Sequence, residues 1–344
     1  MKILHVCGGG GGGAPIACRR LNEALRCHGV ESSVMEAPPQ INTRCFSRRA
    51  REKIFSLIAP TTNAAGRSLG LFGGMDLVEK INRSDADLVH LHSPQLVIPI
   101  HAYPAIRKKI VWTLHDSWVF CGAELHPNLP EHDTRYRDGY THKNFPSSSS
   151  GIDLDKWIWR WKKHCWKNLQ AVFTAPSRWE ASCFKESALF RGQDCHVIPN
   201  CLDTEVFRPH DKAASRAVFH LPEGKRILLF GAADPSSPNK GFPCLREALR
   251  MLSSLEEYRE HCHLAVFGEV PDPGYFGELP FPCTCVGQIE SEDLMAQLYS
   301  AADVFICPSL VESFGYTSLE SVSCGTPVAA FRTGGLPDKC PNRK

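Results

Sequence analysis

The chain has 344 residues, of which 43% are apolar and 22% charged, and its net charge is +2. That length accommodates two domains, and that composition belongs to a folded globular chain rather than a disordered or collagen-like one. The near-neutral balance gives no reason to expect a nucleic acid partner, and no run reaches the roughly 18 apolar residues that a membrane span needs.

Residues 2–6 read as a short apolar strand without the h-region of a signal peptide. The 16 cysteines are therefore expected to be reduced, mostly small core residues of a cytoplasmic protein. Gly8 to Gly13 is an unbroken run of six glycines, and residues 14–27 follow as a helix with Ala17, Leu21, Ala24 and Leu25 inward. Strand, glycine loop and helix open a nucleotide-binding α/β domain, because glycine lets the backbone approach a phosphate. Gly10 and Gly11 are the candidate contacts. Gly8-x-Gly10-x-x-Gly13 also spells the dinucleotide fingerprint, and Glu36 after a second strand at 32–35 sits near its acidic position. Six consecutive glycines satisfy that spelling almost automatically, so a dehydrogenase is only an alternative.

Residues 44–53 carry Arg44, Arg48, Arg49, Arg51 and Lys53, either a solvated face or a patch for an anionic acceptor or membrane surface. Residues 60–74 are rich in small residues and expected to form a loop. Strands follow at 87–92 and 110–114, the second ending at His115-Asp116. A histidine at the carboxyl end of a parallel strand stands where ligands bind, and Asp116 is placed to orient it or to meet an acceptor. Residues 124–150 have little periodicity and read as a long loop, with Arg135 and Tyr136 as acceptor-side candidates. Residues 155–167 form a helix with four tryptophans and five basic residues. That composition suits a membrane interface, although Trp157, Trp161 and Cys165 share one helical face and compete for the core. A strand at 172–175 and a helix at 179–187 complete the first domain. Pro199, Asn200 and Pro209 punctuate a linker, and the expected domains are 1–204 and 205–344.

The second domain begins with a strand at 226–230, a glycine- and proline-rich loop, and a helix at 243–255. Lys240 immediately precedes that helix, so its ammonium and the helix amides would both face a diphosphate. Further strands at 263–267 and 283–286 lead to a helix at 291–299. Val304, Phe305 and Ile306 make a buried strand, 309–315 a loop, 317–323 a short helix, and 327–331 a last strand before Gly334-Gly335. Glu312 and Glu320 bracket the loop–helix junction. Each carboxylate can accept from two vicinal hydroxyls, and the amides of Phe314, Gly315, Tyr316 and Thr317 can receive an anion. The unit suits a phosphorylated sugar. Asp85-x-Asp87 leads into a strand, and His261-Cys262-His263 with Cys283-x-Cys285 fits no common zinc spacing, so no metal is expected.

Glu312-x7-Glu320, followed by Cys-Gly-Thr-Pro-Val and Gly-Gly-Leu-Pro-Asp, resembles the retaining GT-B glycosyltransferases of family 4, including those of bacterial surface-polysaccharide synthesis. The resemblance implies an α/β fold with two Rossmann-like domains facing a cleft. It implies transfer of a sugar from a UDP- or GDP-sugar to a saccharide or lipid-linked acceptor with retention, without metal or other cofactor. His115, in TLHDSW, takes the place of the family's sugar-contacting histidine, and Glu312 and Lys240 join it as catalytic residues. Glu320 falls to the ribose and Gly287 to the base. The family's usual arginine is absent between Gly231 and Lys240, leaving Arg178 or Arg332 as substitutes. The chain ends at Lys344, where members continue, so the second domain is expected to be incomplete at its C-terminus. Localisation is expected to be cytoplasmic, with peripheral contact at the inner face of the plasma membrane. An impaired nucleotide-sugar-binding remnant and a nucleotide-sugar epimerase are the alternatives.

Overall fold

Eleven strands, all parallel, form two sheets in a computed structural model that describes residues 1–8, 12–37, 68–71, 73–127, 133–147, 151–269, 273–276 and 279–339. The candidate contacts Gly10 and Gly11, the basic stretch 44–53 and most of the loop 60–74 lie outside the described residues. The chain forms two compact units, Met1–Cys201 and Leu202–Lys344.

In the first unit the sheet order is β2-β1-β3-β4-β5-β6, from β1 (Lys2–Gly8), β2 (Glu31–Ala37), β3 (Leu88–His92), β4 (Lys109–Thr113), β5 (Val172–Ala175) and β6 (Cys195–Val197). The chain moves outward from β1 to β2 and then reverses to β3, so the switch point lies between β1 and β3. Ligands of open α/β sheets bind outside the carboxyl ends of the strands at such a point. The helices are α1 (Gly13–Cys27), α2 (Met75–Arg83), α3 (Arg135–Asp138), α4 (Leu154–Cys165) and α5 (Arg178–Glu186). One core fills the unit, and its centre is aromatic. Tyr103 stacks on Trp112 at 4.7 Å between ring centroids, and Trp166 meets both edge-on.

Two expectations change here. Residues 124–150 are not featureless, because α3 interrupts them. Its Arg135 is 5% exposed and pairs with Asp153, while Tyr136 is 6% exposed in the core. The buried face of α4 is also not the one carrying Trp157 and Trp161, which are 70% and 40% exposed. Ile158, Trp159 and Lys162 are buried instead. A lysine can occupy that face because its amine donates to the carbonyl oxygens of Trp118, Cys121 (3.1 Å) and Gly122 (2.6 Å) and lies 3.7 Å from the Trp118 ring centroid.

The second unit has sheet order β11-β10-β7-β8-β9, from β7 (Arg226–Gly231), β8 (Cys262–Phe267), β9 (Cys283–Gly287), β10 (Val304–Cys307) and β11 (Val328–Ala330). Its switch point lies between β7 and β10. Ile227 and Leu229 point into one core, Leu228 and Phe230 into the other. Burial on both faces is why β7 reads as an unbroken apolar run. The helices are α6 (Lys212–Val218), α7 (Phe242–Ser253), α8 (Glu256–Arg259), α9 (Glu292–Ala301) and α10 (Tyr316–Ser323).

Candidate functional site

In the first unit, histidines gather at the switch point. The parallel register sets His5 of β1 opposite His90 of β3, and His92 opposite Thr113 of β4. Residues of like parity share a face, so His5, His90 and His92 crowd together, with ring centroids 4.1 to 5.2 Å apart. His5 Nδ1 lies 3.0 Å from His92 Nε2, and His92 Nδ1 lies 2.8 Å from His115 Nε2. His90 turns aside, its Nε2 lying 2.7 Å from Thr113 Oγ1, which in turn lies 2.8 Å from Thr174 Oγ1. Burial pushes the pKa values of His5 and His115 down to about 4, that of His90 to about 3, and that of His92 well below the ordinary range. The cluster is neutral at pH 7.

Asp116 is adjacent but serves the loop. Its carboxylate accepts from the Trp118 N–H at 3.0 Å, Gln95 Nε2 at 2.8 Å and Ser93 Oγ at 3.3 Å. Ser93 itself is left-handed, with φ 44°, so the chain leaves β3 through a conformation unusual for a residue with a side chain. Arg135 and Tyr136 are not brought to this cluster; they hold α3 against α4 and the core. Asp85 and Asp87 lie at the amino end of β3, where they bind the side chain and backbone N–H of Lys2 respectively. A hollow of about 500 Å³ lined by Lys2, Arg26, Glu31 and Asp85 is at that same end, away from the histidines.

In the second unit, the two loops that leave the switch point meet. Lys240 Nζ donates to Glu312 Oε2 at 2.8 Å, and the Leu310 N–H donates to the Asn239 carbonyl at 2.8 Å. Gly241 makes this approach possible. Its φ is +70°, and a Cβ there would fall 1.9 Å from the Pro308 carbonyl oxygen. Gly334 does the same from the other side, because a Cβ would fall 2.1 Å from the Glu312 carbonyl oxygen. Burial opposes the charge of Lys240, but the Glu312 carboxylate beside it holds the ammonium pKa above its ordinary value.

Gly315 caps α10 with φ 84°, so Tyr316 and Thr317 form the helix's first turn. Phe314 is buried before the cap. Glu320, one turn in, is 7% exposed, and its Oε2 accepts from Tyr299 Oη at 3.0 Å. Burial pushes the Tyr299 phenol up, and Glu320 adds to that, so Tyr299 is a donor at every physiological pH. Gly287 ends β9 with φ 82°, its carbonyl accepting from the Gly268 N–H at 2.8 Å.

Residues 11–206, more than half of the chain, match the profile of Glycosyltransferase Family 4. The chain belongs to glycosyltransferase family 4. Residues 224–343 match a second profile, Glycosyl transferases group 1. A D-inositol 3-phosphate glycosyltransferase from Segniliparus rotundus is 32% identical over 154 residues, covering 42% of this chain and 33% of that protein. The matched segment thus spans about a third of the curated relative's length. Among solved structures, a sucrose-phosphate synthase from Thermosynechococcus elongatus superposes with a TM-score of 0.64 at 20% identity, over 97% of this chain and 82% of the other. HepE from Anabaena, solved in complex with UDP-glucose, gives 0.59 at 18% identity, over 98% and 82%. At such identities the likeness is one of fold, the GT-B arrangement of two parallel-sheet α/β units.

Sequence reasoning about this family 4 chain missed three residues. Tyr299 lies 21 positions before its partner Glu320 and carries no motif of its own. His5 reads as a strand residue until the register sets it beside His92. Lys339 lies beyond the Gly-Gly-Leu-Pro-Asp motif, and its Nζ is 3.9 Å from the Phe314 ring centroid. It brings a second cation to the start of α10, a unit whose first loop lacks an arginine.

Proposed function

We propose that the chain transfers a sugar from a nucleotide-sugar donor to a hydroxylated acceptor with retention. The observation that carries this reading is the Lys240–Glu312 pair at the second unit's switch point, with Glu320 one turn into the helix that follows. Lys240 and the amides of Phe314 to Thr317 receive the diphosphate. Glu312 accepts from sugar hydroxyls, Glu320 from the ribose hydroxyls, and backbone at Gly287 flanks the base. His115 contributes a neutral imidazole that hydrogen-bonds a sugar oxygen. UDP is the first diphosphate to test, since the structurally similar HepE was solved in complex with UDP-glucose.

The reaction proceeds on the front face of the sugar. The bond from the anomeric carbon to the diphosphate oxygen breaks, the acceptor oxygen bonds to that carbon, and the departing phosphate takes the acceptor's proton. Lys240 and the helix amides offset the growing negative charge. No metal is needed for this charge balance. The acceptor is a saccharide or lipid-linked hydroxyl compound in surface polysaccharide synthesis. Exposed Trp157 and Trp161, alternating with Lys156, Arg160 and Lys163 on α4, support peripheral contact with an anionic membrane from the cytoplasmic side.

Calorimetric titration with UDP, GDP, ADP and NAD tests the proposal. Saturable binding of one nucleoside diphosphate, lost in Lys240→Ala, is expected, with transfer from the matching nucleotide sugar. Binding of NAD alone would replace this reading by a dehydrogenase. Epimerised donor without acceptor would replace it by an epimerase, and folded protein that binds nothing would leave a non-catalytic remnant.

A further inference from the structure

The histidines of the first unit form a line rather than a simple cluster. His5, His92 and His115 are joined end to end through opposite ring nitrogens, Nδ1 to Nε2 each time, at 3.0 and 2.8 Å. A neutral imidazole has one N–H and one lone pair. Three neutral rings so joined have two self-consistent proton orders. Either every ring carries its proton on Nδ1, or every ring carries it on Nε2. In the first order, His115 presents an Nδ1–H donor at the end of the line. In the second, it presents an Nδ1 lone pair.

The buried end decides between them. His5 Nε2 is buried and has no hydrogen-bond partner among the described residues. A buried N–H left without an acceptor costs more than a lone pair left without a donor, which disfavours a proton there. The ligating atoms of His5, Cys18 and His92 all fall within 4.8 Å of one another, and all three residues are fully buried. Cys18 is held in its protonated form, chiefly by its hydrogen bond with Cys7 and by burial. Its one proton is thus directed at Cys7, so Cys18 supplies His5 with no donor, and the order rests on the partnerless Nε2 itself.

We infer that His5 and His92, with the buried Nε2 of His5 a lone pair at the inner end, are positioning residues that fix His115 as the Nδ1–H tautomer. His115 is thereby an obligate donor, and its ligand group is an oxygen acting as acceptor. The line crosses from β1 to the end of β4, so residues on three elements set the chemistry of one half-buried imidazole. His90 stands outside the line because its Nε2 is engaged by Thr113.

The test is 15N NMR of ring nitrogens in the full chain labelled at histidine, which reports which nitrogen of His115 is protonated. The expected result is protonation at Nδ1. His92→Phe should shift His115 toward the Nε2–H tautomer that free imidazole side chains favour. His92→Asn, whose amide keeps a donor in the place of Nδ1, should retain the wild-type tautomer. His92→Leu, a smaller apolar change, should lower the Nδ1–H population in the same way if His92→Phe fails to fold. A consequence for turnover rests on the glycosyl-transfer reading: His92→Phe should lower kcat about tenfold, His92→Asn should restore most of it, and diphosphate affinity should not change. Protonation of wild-type His115 at Nε2 would overturn the inference. So would a tautomer unmoved in His92→Phe and His92→Leu, or stoichiometric zinc on His5, Cys18 and His92, since a metal and not a hydrogen bond would then set the order. The expected tautomers in a chain that transfers no sugar would uphold the histidine line and discard the glycosyl-transfer reading alone.

Discussion

Lys240 and Glu312 lie 72 residues apart and form an ion pair at 2.8 Å, each side chain about one-quarter exposed or less on Lys240's 26% and Glu312's 20%. The pair neutralises the second unit's switch point before any ligand arrives. On the proposed function, a diphosphate would compete for the ammonium, and as Lys240 turned to it, Glu312 would turn to sugar hydroxyls. On that reading, donor binding and alignment of the sugar would be one exchange of partners.

Lys240→Ala should weaken binding of the nucleoside diphosphate about 10- to 100-fold, the worth of a charged hydrogen bond of roughly 1.5–3 kcal/mol. Glu312→Ala should reduce transfer while leaving diphosphate affinity intact or slightly tighter, because the ammonium is no longer held. Calorimetry and initial rates on the same preparations separate the two. A loss of diphosphate affinity in Glu312→Ala would contradict this division.

Glu320→Ala should weaken nucleotide binding by roughly 1–3 kcal/mol. Tyr299→Phe removes only the donor that orients it and should cost about 1 kcal/mol. A deoxyribose analogue would then bind the wild type and Glu320→Ala more nearly alike. Equal discrimination in both proteins would remove Glu320 from the ribose.

The neutral histidines make stability pH-dependent. His5 and His115 have folded pKa values of about 4, below the ordinary value of 6.5, so the unfolded chain binds more protons between those limits. Their contribution is complete above about pH 6.5 and is lost as pH falls toward 4, at up to about 1.4 kcal/mol per pH unit for each histidine that stays neutral. Urea unfolding midpoints should therefore drop steeply over that range. His5→Phe should flatten the slope.

Lys162→Ala should destabilise the first unit by about 3 kcal/mol, because three carbonyl oxygens lose their donor and the Trp118 face loses the amine packed on it. A fall in the urea midpoint at unchanged slope would show this; a midpoint within error of wild type would not. Trp157→Ala combined with Trp161→Ala removes only exposed rings and should leave that midpoint unchanged. The double variant should lose sedimentation with vesicles containing anionic phospholipid. Retained sedimentation would mean that this face is not the membrane contact.

The sequence by itself determined the strands and the motif they carry. Apolar runs such as 226–230 and 304–306 are strands because both sheet faces are covered, and the breaks at Gly231 and Pro308 end them. Glu312, Gly315 and Glu320 were legible because loop and helix hold them within a few residues of one another. The tertiary structure decided what depends on register and on distant partners. Which helical face of 154–165 is buried turned on three carbonyl acceptors for Lys162, and no local pattern announces them. The His5–His92–His115 line exists because parallel pairing sets β1 beside β3 and β3 beside β4, and Tyr299 reaches Glu320 only through the packing of α9 on α10. Spacing along a chain reports neighbours on one element, whereas hydrogen bonds across a sheet depend on the pairing that folding chooses.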